Sequence, residues 1–398
     1  MIDELLKPRT LWLTLLGVVI VVFPFVHEWP FFDGFVGEFR TFNATMFGVW
    51  LLVVLSMNLL TGYSGQISLG HAAVVLIGAY STGILSQDMN IPLALAIPIA
   101  GIFTGAVGGI VIGLPAVRLT GPYLAIATFS LIITLPQILK LNLIDGWTNG
   151  ANGIGISRPQ PPGFFDSFLD QAQWMYYVTM SVAILMTILF WTMTRSRFGR
   201  AFVALRDSEI GAEQMGVNVP FYKALAFAIS SFYAGIAGGL FFAVQTFVSP
   251  ESLGFRESIL FLVAIVIGGL ATVLGSVFGG LFLTFQAEVI SNLPDWIDSI
   301  ANFVPFLGPV AELDFNKLRD VIYGSLLILT MIFFPRGLAG FIHGLVEAGP
   351  VGVWRSMRRS LSPDQLRANV DTALDRVGLR ALRRPKPEED TTTQDEHR

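Results

Sequence analysis

Four of the polar residues at the base of the second and third apolar segments are candidates for a functional role: Asn58, Gln66, Ser68 and His71. They lie within and beside a glycine-rich run at residues 62–66. Irregular polar backbone is tolerated at membrane depth only where protein or water surrounds it. Two interpretations therefore remain open. The four residues line a solute pathway or a cytoplasmic gate, or His71 and Gln66 hydrogen-bond exposed backbone at a broken helix.

Residue types that carry out covalent or metal chemistry are missing or isolated. The absence of cysteine excludes disulfides, thiolate metal sites and cysteine nucleophiles. The four histidines are not paired at a metal-ligand spacing, and no lysine follows a glycine, so there is no P-loop to bind nucleotide phosphates. The sequence thus predicts a protein that is not an enzyme and that itself binds no cofactor or metal.

The composition predicts a polytopic membrane protein. Of the 398 residues, 53% are hydrophobic and only 14% are charged, whereas soluble domains carry about 25% charged residues. The net charge of -4 provides no basic surface for nucleic acid.

Ten segments are long and apolar enough to cross a bilayer, which takes about 20 residues. They lie near residues 10–26, 43–60, 67–85, 92–114, 121–139, 174–194, 221–246, 256–274, 276–293 and 318–334. The third segment is unusually polar in its first turns. We therefore expect an all-α fold of about ten transmembrane helices.

The basic residues set the expected orientation, because Lys and Arg are retained on the cytoplasmic side. The densest basic cluster between two segments follows the sixth one and consists of Arg195, Arg197, Arg200, Arg206 and Lys223. If it is cytoplasmic, both termini are cytoplasmic as well. The segments contain almost no ionisable residues, which disfavours an ion-coupled secondary transporter.

Glycines repeat every fourth residue in two of the segments, at Gly101, Gly105, Gly109 and Gly113 and again at Gly235 and Gly239. Such ridges let helix backbones approach closely in lipid. We expect them to serve packing within the chain, with a dimerisation face as the alternative.

Residues 201–219 form an amphipathic cytoplasmic segment. Asp207 and Ser208 are suitable N-caps for a short helix, and Gly216 is a natural helix end. Pro220 then suits the first turn of the next segment. Both a helix that docks a partner and a solvated connecting loop fit this pattern.

Several long motifs, in order, resemble branched-chain amino acid ABC transporter permeases of the LivM type. The motifs are NLLTGYSGQISLGHAAVVLIGAY (58–80), RLTGPYLAIATFSL (118–131), NGANGIGI (149–156), SRFGRAFVALRDSEIGAEQMGVNVPFYKALAFAISSFYAGIAGGL (196–240), FVSPESLGF (247–255) and FPRGLAG (334–340).

This resemblance implies a type II ABC importer permease fold over residues 1–340, in a bacterial or archaeal plasma membrane. The implied partners are a second permease of the LivH type, two ATPase subunits of the LivG and LivF type that bind ATP and magnesium, and a periplasmic or lipid-anchored amino acid-binding protein. The resemblance also makes 201–219 the helix that couples the permease to the ATPase. Its expected coupling residues are Arg206, Asp207, Glu209, Glu213 and Gly216.

The implied substrates are leucine, isoleucine and valine. The near absence of charge in the segments fits a zwitterionic aliphatic solute, but it fits urea or a short-chain amide equally well, so this alternative stays open. Residues 341–398 are expected to form a cytoplasmic tail. Both an amphipathic helix at 363–384 and a solvated, loosely ordered tail fit its sequence.

Overall fold

The computed structural model describes residues 38–119, 121–163 and 168–286, together with the isolated residues 325, 338 and 339. Several predictions fall outside these residues. They are the segments at 10–26 and 318–334, the end of the segment at 276–293, the positions of the termini, and the tail with its helix at 363–384.

The described residues are mainly helical. The α-helices are α1 Glu38–Met57, α2 His71–Gln87, α3 Leu93–Val107, α4 Leu114–Arg118, α5 Pro122–Leu139, α6 Asp145–Thr148, α7 Gln171–Arg195, α8 Arg197–Asp207, α9 Glu209–Gln214, α10 Val219–Gln245, α11 Phe255–Gly268 and α12 Val273–Gln286.

Five continuous helical stretches of the described residues are long and apolar enough to cross a membrane. They are Thr41–Tyr63, Leu93–Arg118, Pro122–Leu139, Gln171–Arg195 and Val219–Gln245. They coincide with five of the predicted segments, so the polytopic class is supported. The number ten stays a prediction.

Two stretches of π-helix extend the regular helices. The segment Asn58–Tyr63 continues α1, and Gly108–Gly113 joins α3 to α4. A short 3-10 helix, Gly150–Asn152, precedes β1 (Ile154–Gly155), which pairs antiparallel with β2 (Phe247–Val248). The all-α prediction is therefore incomplete, because this small strand pair joins two loops.

Helix α10 lies at the centre of the bundle and packs against α1, α2 and α3. The glycine ridge of α3 faces it, since a Cβ atom on Gly101 would lie 2.7 Å from Ile236 and one on Gly109 would lie 2.9 Å from Ala228. From α10, a Cβ atom on Gly235 would lie 3.0 Å from the Cα of Gly101. The expected role of these glycines in packing within the chain is confirmed.

Two predicted segment boundaries are wrong. The third segment, expected from residue 67, becomes helical only at His71, because the chain turns at Gly65 with φ +73°. The eighth, expected to reach 274, ends at Gly268, because Gly269 (φ +123°) and Ala271 (φ +56°) adopt left-handed backbone conformations. Residues 269–272 thus form a break between α11 and α12.

Candidate functional site

Asn58 joins the π-helix of the first described span to the break between α11 and α12. Its side chain is fully buried. The amide nitrogen donates to the carbonyl oxygen of Thr272 and to the hydroxyl of Ser276, each at 2.8 Å. The amide oxygen accepts the backbone N–H of Ala271, also at 2.8 Å. All of these partners lie more than 210 residues away along the chain.

His71 lies at the start of α2 and bonds a hydroxyl group. Its Nε2 atom is 2.6 Å from the Oγ atom of Ser56. The Ser56 hydroxyl also lies 2.7 Å from the carbonyl oxygen of Val53. The carbonyl of Ser56 accepts in turn from the hydroxyl of Ser230 in α10. This chain of hydrogen bonds ties α1, α2 and α10 together.

Gln66 and Ser68 are buried in the non-helical stretch before α2. The Nε2 atom of Gln66 donates to the hydroxyl of Ser64, and its Oε1 atom has no hydrogen-bond partner among the described residues. The described side-chain bonds of His71 and Gln66 thus go to hydroxyl groups, so the interpretation that they bond exposed backbone is not supported. Asn58 makes such contacts instead, because it is the side chain that reaches the break at 269–272. The pathway or gate role of the four residues stays a prediction.

The segment 201–219 is not one helix. Helix α8 extends to Asp207, and Ser208 separates it from α9, accepting the N–H of Gly211 as an N-cap. The predicted cap at Ser208 is confirmed, whereas Asp207 is the last residue of α8. The chain turns at Gly216 with φ +83°, and α10 starts with Pro220 in its first turn, as expected.

Arg206, a predicted coupling residue, contacts the first described span. Its Nη1 atom donates to the carbonyl oxygen of Gly62 in the π-helix at 3.1 Å. Its Nε and Nη2 atoms donate to one carboxylate oxygen of Asp207 at 3.1 and 3.0 Å. One guanidinium thus fixes the end of α8 to the end of the first described span.

Glu209, at the start of α9, forms an ion pair with Lys223 of α10. Both carboxylate oxygens lie 2.8 Å from the lysine Nζ atom. The Lys223 side chain is only 4% exposed. The sequence interpretation missed this pair because it counted Lys223 among the cytoplasmic basic residues. Its position in the first turns of a long apolar segment was the signal available in the sequence.

The opposite face of α9 is open. The apolar side chains of Ile210 and Met215 are 72% and 85% exposed, and Glu213 is exposed between them. Ala212 is buried on the inner face. The structure therefore places the predicted coupling residues on two sides. Arg206 and Glu209 hold the segment to the bundle, and Glu213 and Gly216 lie on its exposed side.

At the other end of the bundle, the loops are fastened to one another. Lys140, after α5, lies 2.6 Å from Glu251 in the loop after β2, and the hydrogen bond and charge of Lys140 lower the pKa of the Glu251 carboxyl. The Gln87 side chain donates to the carbonyl oxygen of Gly155 in β1. Within the described residues, no three His, Asp or Glu side chains cluster as a metal site.

Comparisons with known proteins agree with this architecture. A family model described as branched-chain amino acid transport system / permease component matches residues 40–331. The high-affinity branched-chain amino acid transport system permease proteins LivM of Salmonella typhimurium and Escherichia coli are each 30% identical over 357 residues, covering 85% of this chain and 76% of theirs.

A second kind of relative is more distant. The autoinducer 2 import system permease protein LsrC of Salmonella paratyphi B is 28% identical over 272 residues, or 65% of this chain and 70% of its own. No solved structure matches the chain significantly. The match over residues 40–331 and the LivM similarity show that this chain belongs to the family of branched-chain amino acid transport system permease components.

Proposed function

We propose that this chain is the inner-membrane permease subunit of an ATP-driven ABC importer for branched-chain amino acids. It forms the translocation pathway with a second permease, and two ATPase subunits supply the energy. A periplasmic or lipid-anchored binding protein delivers the solute. The family membership and the LivM relatives support this proposal.

The observation that carries the proposal is the construction of α9. This helix is held to α10 by the Glu209–Lys223 ion pair and presents Ile210, Glu213 and Met215 outward. Ile210 and Met215 expose large apolar side chains outside the membrane-spanning helices, where a partner surface would bury them. A helix fixed in this way transmits a push from an ATPase directly into a membrane-spanning helix.

The docking part of the proposal is tested by charge reversal on this exposed side. Glu213→Arg combined with Gly216→Arg is expected to abolish co-purification of the ATPase subunits and ATP-dependent uptake. Gly146→Arg is the matched control, because Gly146 is exposed at the other end of the bundle with no atom within 4 Å of an added Cβ. Normal uptake and co-purification in the double variant would contradict docking at α9.

We also propose that Asn58, Gln66, Ser68 and His71 belong to a gate at this end of the pathway. His71→Ala is expected to abolish uptake, whereas Ser56→Ala, which removes the same hydrogen bond, lowers the melting temperature of the purified complex about as much and keeps uptake. If His71→Ala retains uptake, or if both variants lose it equally, His71 has a structural role only.

The choice of substrate depends on the relatives and on the nearly uncharged spans. Branched-chain amino acids are favoured because the similarity to LivM covers 85% of the chain, whereas the similarity to LsrC covers 65% or less in the relatives compared. The LsrC similarity supports autoinducer 2 as a second candidate, and urea or short amides fit an uncharged pathway. Uptake of labelled leucine should be inhibited by excess isoleucine and valine, but not by urea or autoinducer 2. The reverse pattern would reject the amino acid assignment.

A further inference from the structure

The π-helical segment Asn58–Tyr63 contacts two separate elements of the structure. On one side it meets α8, which leads into the proposed docking helix α9. On the other side it meets the break at 269–272 between α11 and α12. Both contacts involve backbone or side-chain atoms of the same six residues.

The contact with α8 is close and depends on glycine. Arg206 donates to the carbonyl oxygen of Gly62 at 3.1 Å. A Cβ atom on Gly65 would lie 2.9 Å from the Cγ atom of Arg206 and 3.2 Å from its Cα atom. The backbone of α8 therefore lies directly on the turn that follows the π-helix, and neither can shift without displacing the other.

The contact with the break is equally close. Asn58 makes three hydrogen bonds of 2.8 Å to Ala271, Thr272 and Ser276. A Cβ atom on Gly62 would clash with the Asn58 side chain and would lie 2.6 Å from the backbone nitrogen of Ala271. Gly62 thus takes part in both contacts, with its carbonyl on Arg206 and its Cα against Ala271.

A π-helix is suited to a moving connection. Its i→i+5 hydrogen bonds are rare in proteins and occur mainly as short segments at functional sites. The break it contacts contains two residues in left-handed conformations, Gly269 and Ala271. Residues in such sparsely populated regions are held there by their surroundings, and here Asn58 supplies part of that restraint.

We propose that the segment Asn58–Tyr63 transmits the displacement of α8 to the break between α11 and α12, with Arg206 and Asn58 as positioning residues. This inference rests on the proposed ATP-driven import. It assigns to Arg206 a role inside the permease in place of a contact with the ATPase. It also assigns to Asn58 control over a hinge between the helices α11 and α12.

The first test measures leucine uptake per ATP hydrolysed by the complete transporter in proteoliposomes. Asn58→Ala and Arg206→Ala are expected to keep ATP hydrolysis while uptake falls about tenfold, a coupling loss within the usual allosteric range. Arg206→Lys should retain most of the wild-type uptake, because lysine can still donate to the carbonyl oxygen of Gly62. Arg200→Ala is the matched control, since Arg200 is exposed on the same helix and bonds only the nearby Arg195 carbonyl among the described contacts.

The second test uses the absence of native cysteine. In the double variant Gly65→Cys and Arg206→Cys, the Cβ atom at position 65 would lie 3.3 Å from that at 206, close to the Cβ separation of a disulfide, about 3.8 Å. The reduced protein should lose uptake per ATP, and oxidation should restore it. The double variant Gly65→Ser/Arg206→Cys controls for backbone strain at position 65, because it cannot form the disulfide.

The outcomes separate the two proposals. A wild-type complex that imports none of the tested solutes with ATP contradicts the proposed function. If the wild type is functional and the Asn58→Ala and Arg206→Ala variants keep the same uptake per ATP, the proposed transmission through Asn58–Tyr63 is contradicted, but the proposed function is not. Equal uptake by the reduced and the cross-linked double variant also contradicts this transmission, as does loss of hydrolysis in proportion to uptake.

Discussion

Two lysine–glutamate ion pairs join separate segments at opposite ends of the bundle, and their surroundings differ. In the Glu209–Lys223 pair the lysine side chain is 4% exposed. In the Lys140–Glu251 pair the lysine is 28% exposed and the glutamate 76% exposed. An exposed ion pair contributes little to stability, because water solvates both charges when they separate. A buried lysine that loses its partner cannot be solvated in this way. The same chemistry therefore fixes α9 firmly at one end and fastens a loop weakly at the other.

The largest expected effect is the loss of the carboxylate that faces the buried lysine. Glu209→Ala should lower the free energy of unfolding by about 3 kcal/mol, the lower part of the range for a broken buried pair, because Glu209 itself is partly exposed. Glu251→Ala should cause only a slight change, because both partners of the exposed pair are solvated when they separate. Denaturant titration of both purified variants in detergent measures the difference. Equal losses would show that the burial of Lys223 does not govern the strength of the pair.

A second expected difference concerns glycines at the two ends. Gly65→Ala should cost about 2 kcal/mol, because a left-handed backbone conformation is unfavourable for alanine and because the new Cβ atom would press on Arg206. Gly146→Ala, in the helix α6, meets open space and should leave the protein as stable as the wild type. The melting temperatures of the purified Gly65→Ala and Gly146→Ala variants measure this difference. A harmless Gly65→Ala would contradict the close contact between α8 and the turn.

Removal of the lysine should matter less than removal of its partner. Lys223→Met keeps the buried aliphatic stem and leaves only Glu209, which is 45% exposed and can be hydrated. We expect a loss below about 1 kcal/mol. The double variant Glu209→Ala/Lys223→Met should recover most of the stability lost in Glu209→Ala. A double variant as unstable as Glu209→Ala would mean that packing, and not the unpaired charge, dominates.

The smallest expected effect is the pH dependence of the exposed pair. Lys140 lowers the pKa of Glu251, so the pair contributes stability above the unfolded value of about 4.3. This contribution is lost as the pH falls through the lower pKa of the folded protein. Melting temperatures of the wild type and of Glu251→Gln should differ slightly at pH 7 and converge below pH 4. A difference that grows on acidification would reverse the assigned sign.

Much of the local structure could be predicted from the sequence, because its causes are local. The N-cap at Ser208, the helix end at Gly216 and the first-turn Pro220 follow from side-chain and backbone preferences at single positions. The glycine spacing of α3 likewise predicted a packing ridge. Apolar length identified the five long helical stretches, since hydropathy alone decides which helices suit a bilayer.

The remainder depends on contacts between distant parts of the chain. No sequence pattern marks a π-helix at 58–63, because the shift in hydrogen bonding is stabilised by what packs around it. The partners of Asn58 lie 213 residues or more away. Glu209 and Lys223 are 14 residues apart, across a turn, so no helical spacing pairs them. Distant contacts of this kind fix the candidate site, whereas local signals define the helices that carry it.

The central claim is that an ATPase docks at the exposed side of α9. Because the chain has no cysteine, Glu213→Cys introduces a single reactive thiol there, and Gly146→Cys provides an exposed control at the other end. The measurement is the rate of maleimide labelling in detergent, with and without the ATPase subunits. We expect the ATPase to protect position 213 strongly and position 146 not at all. Equal labelling of position 213 in both states would contradict the central claim.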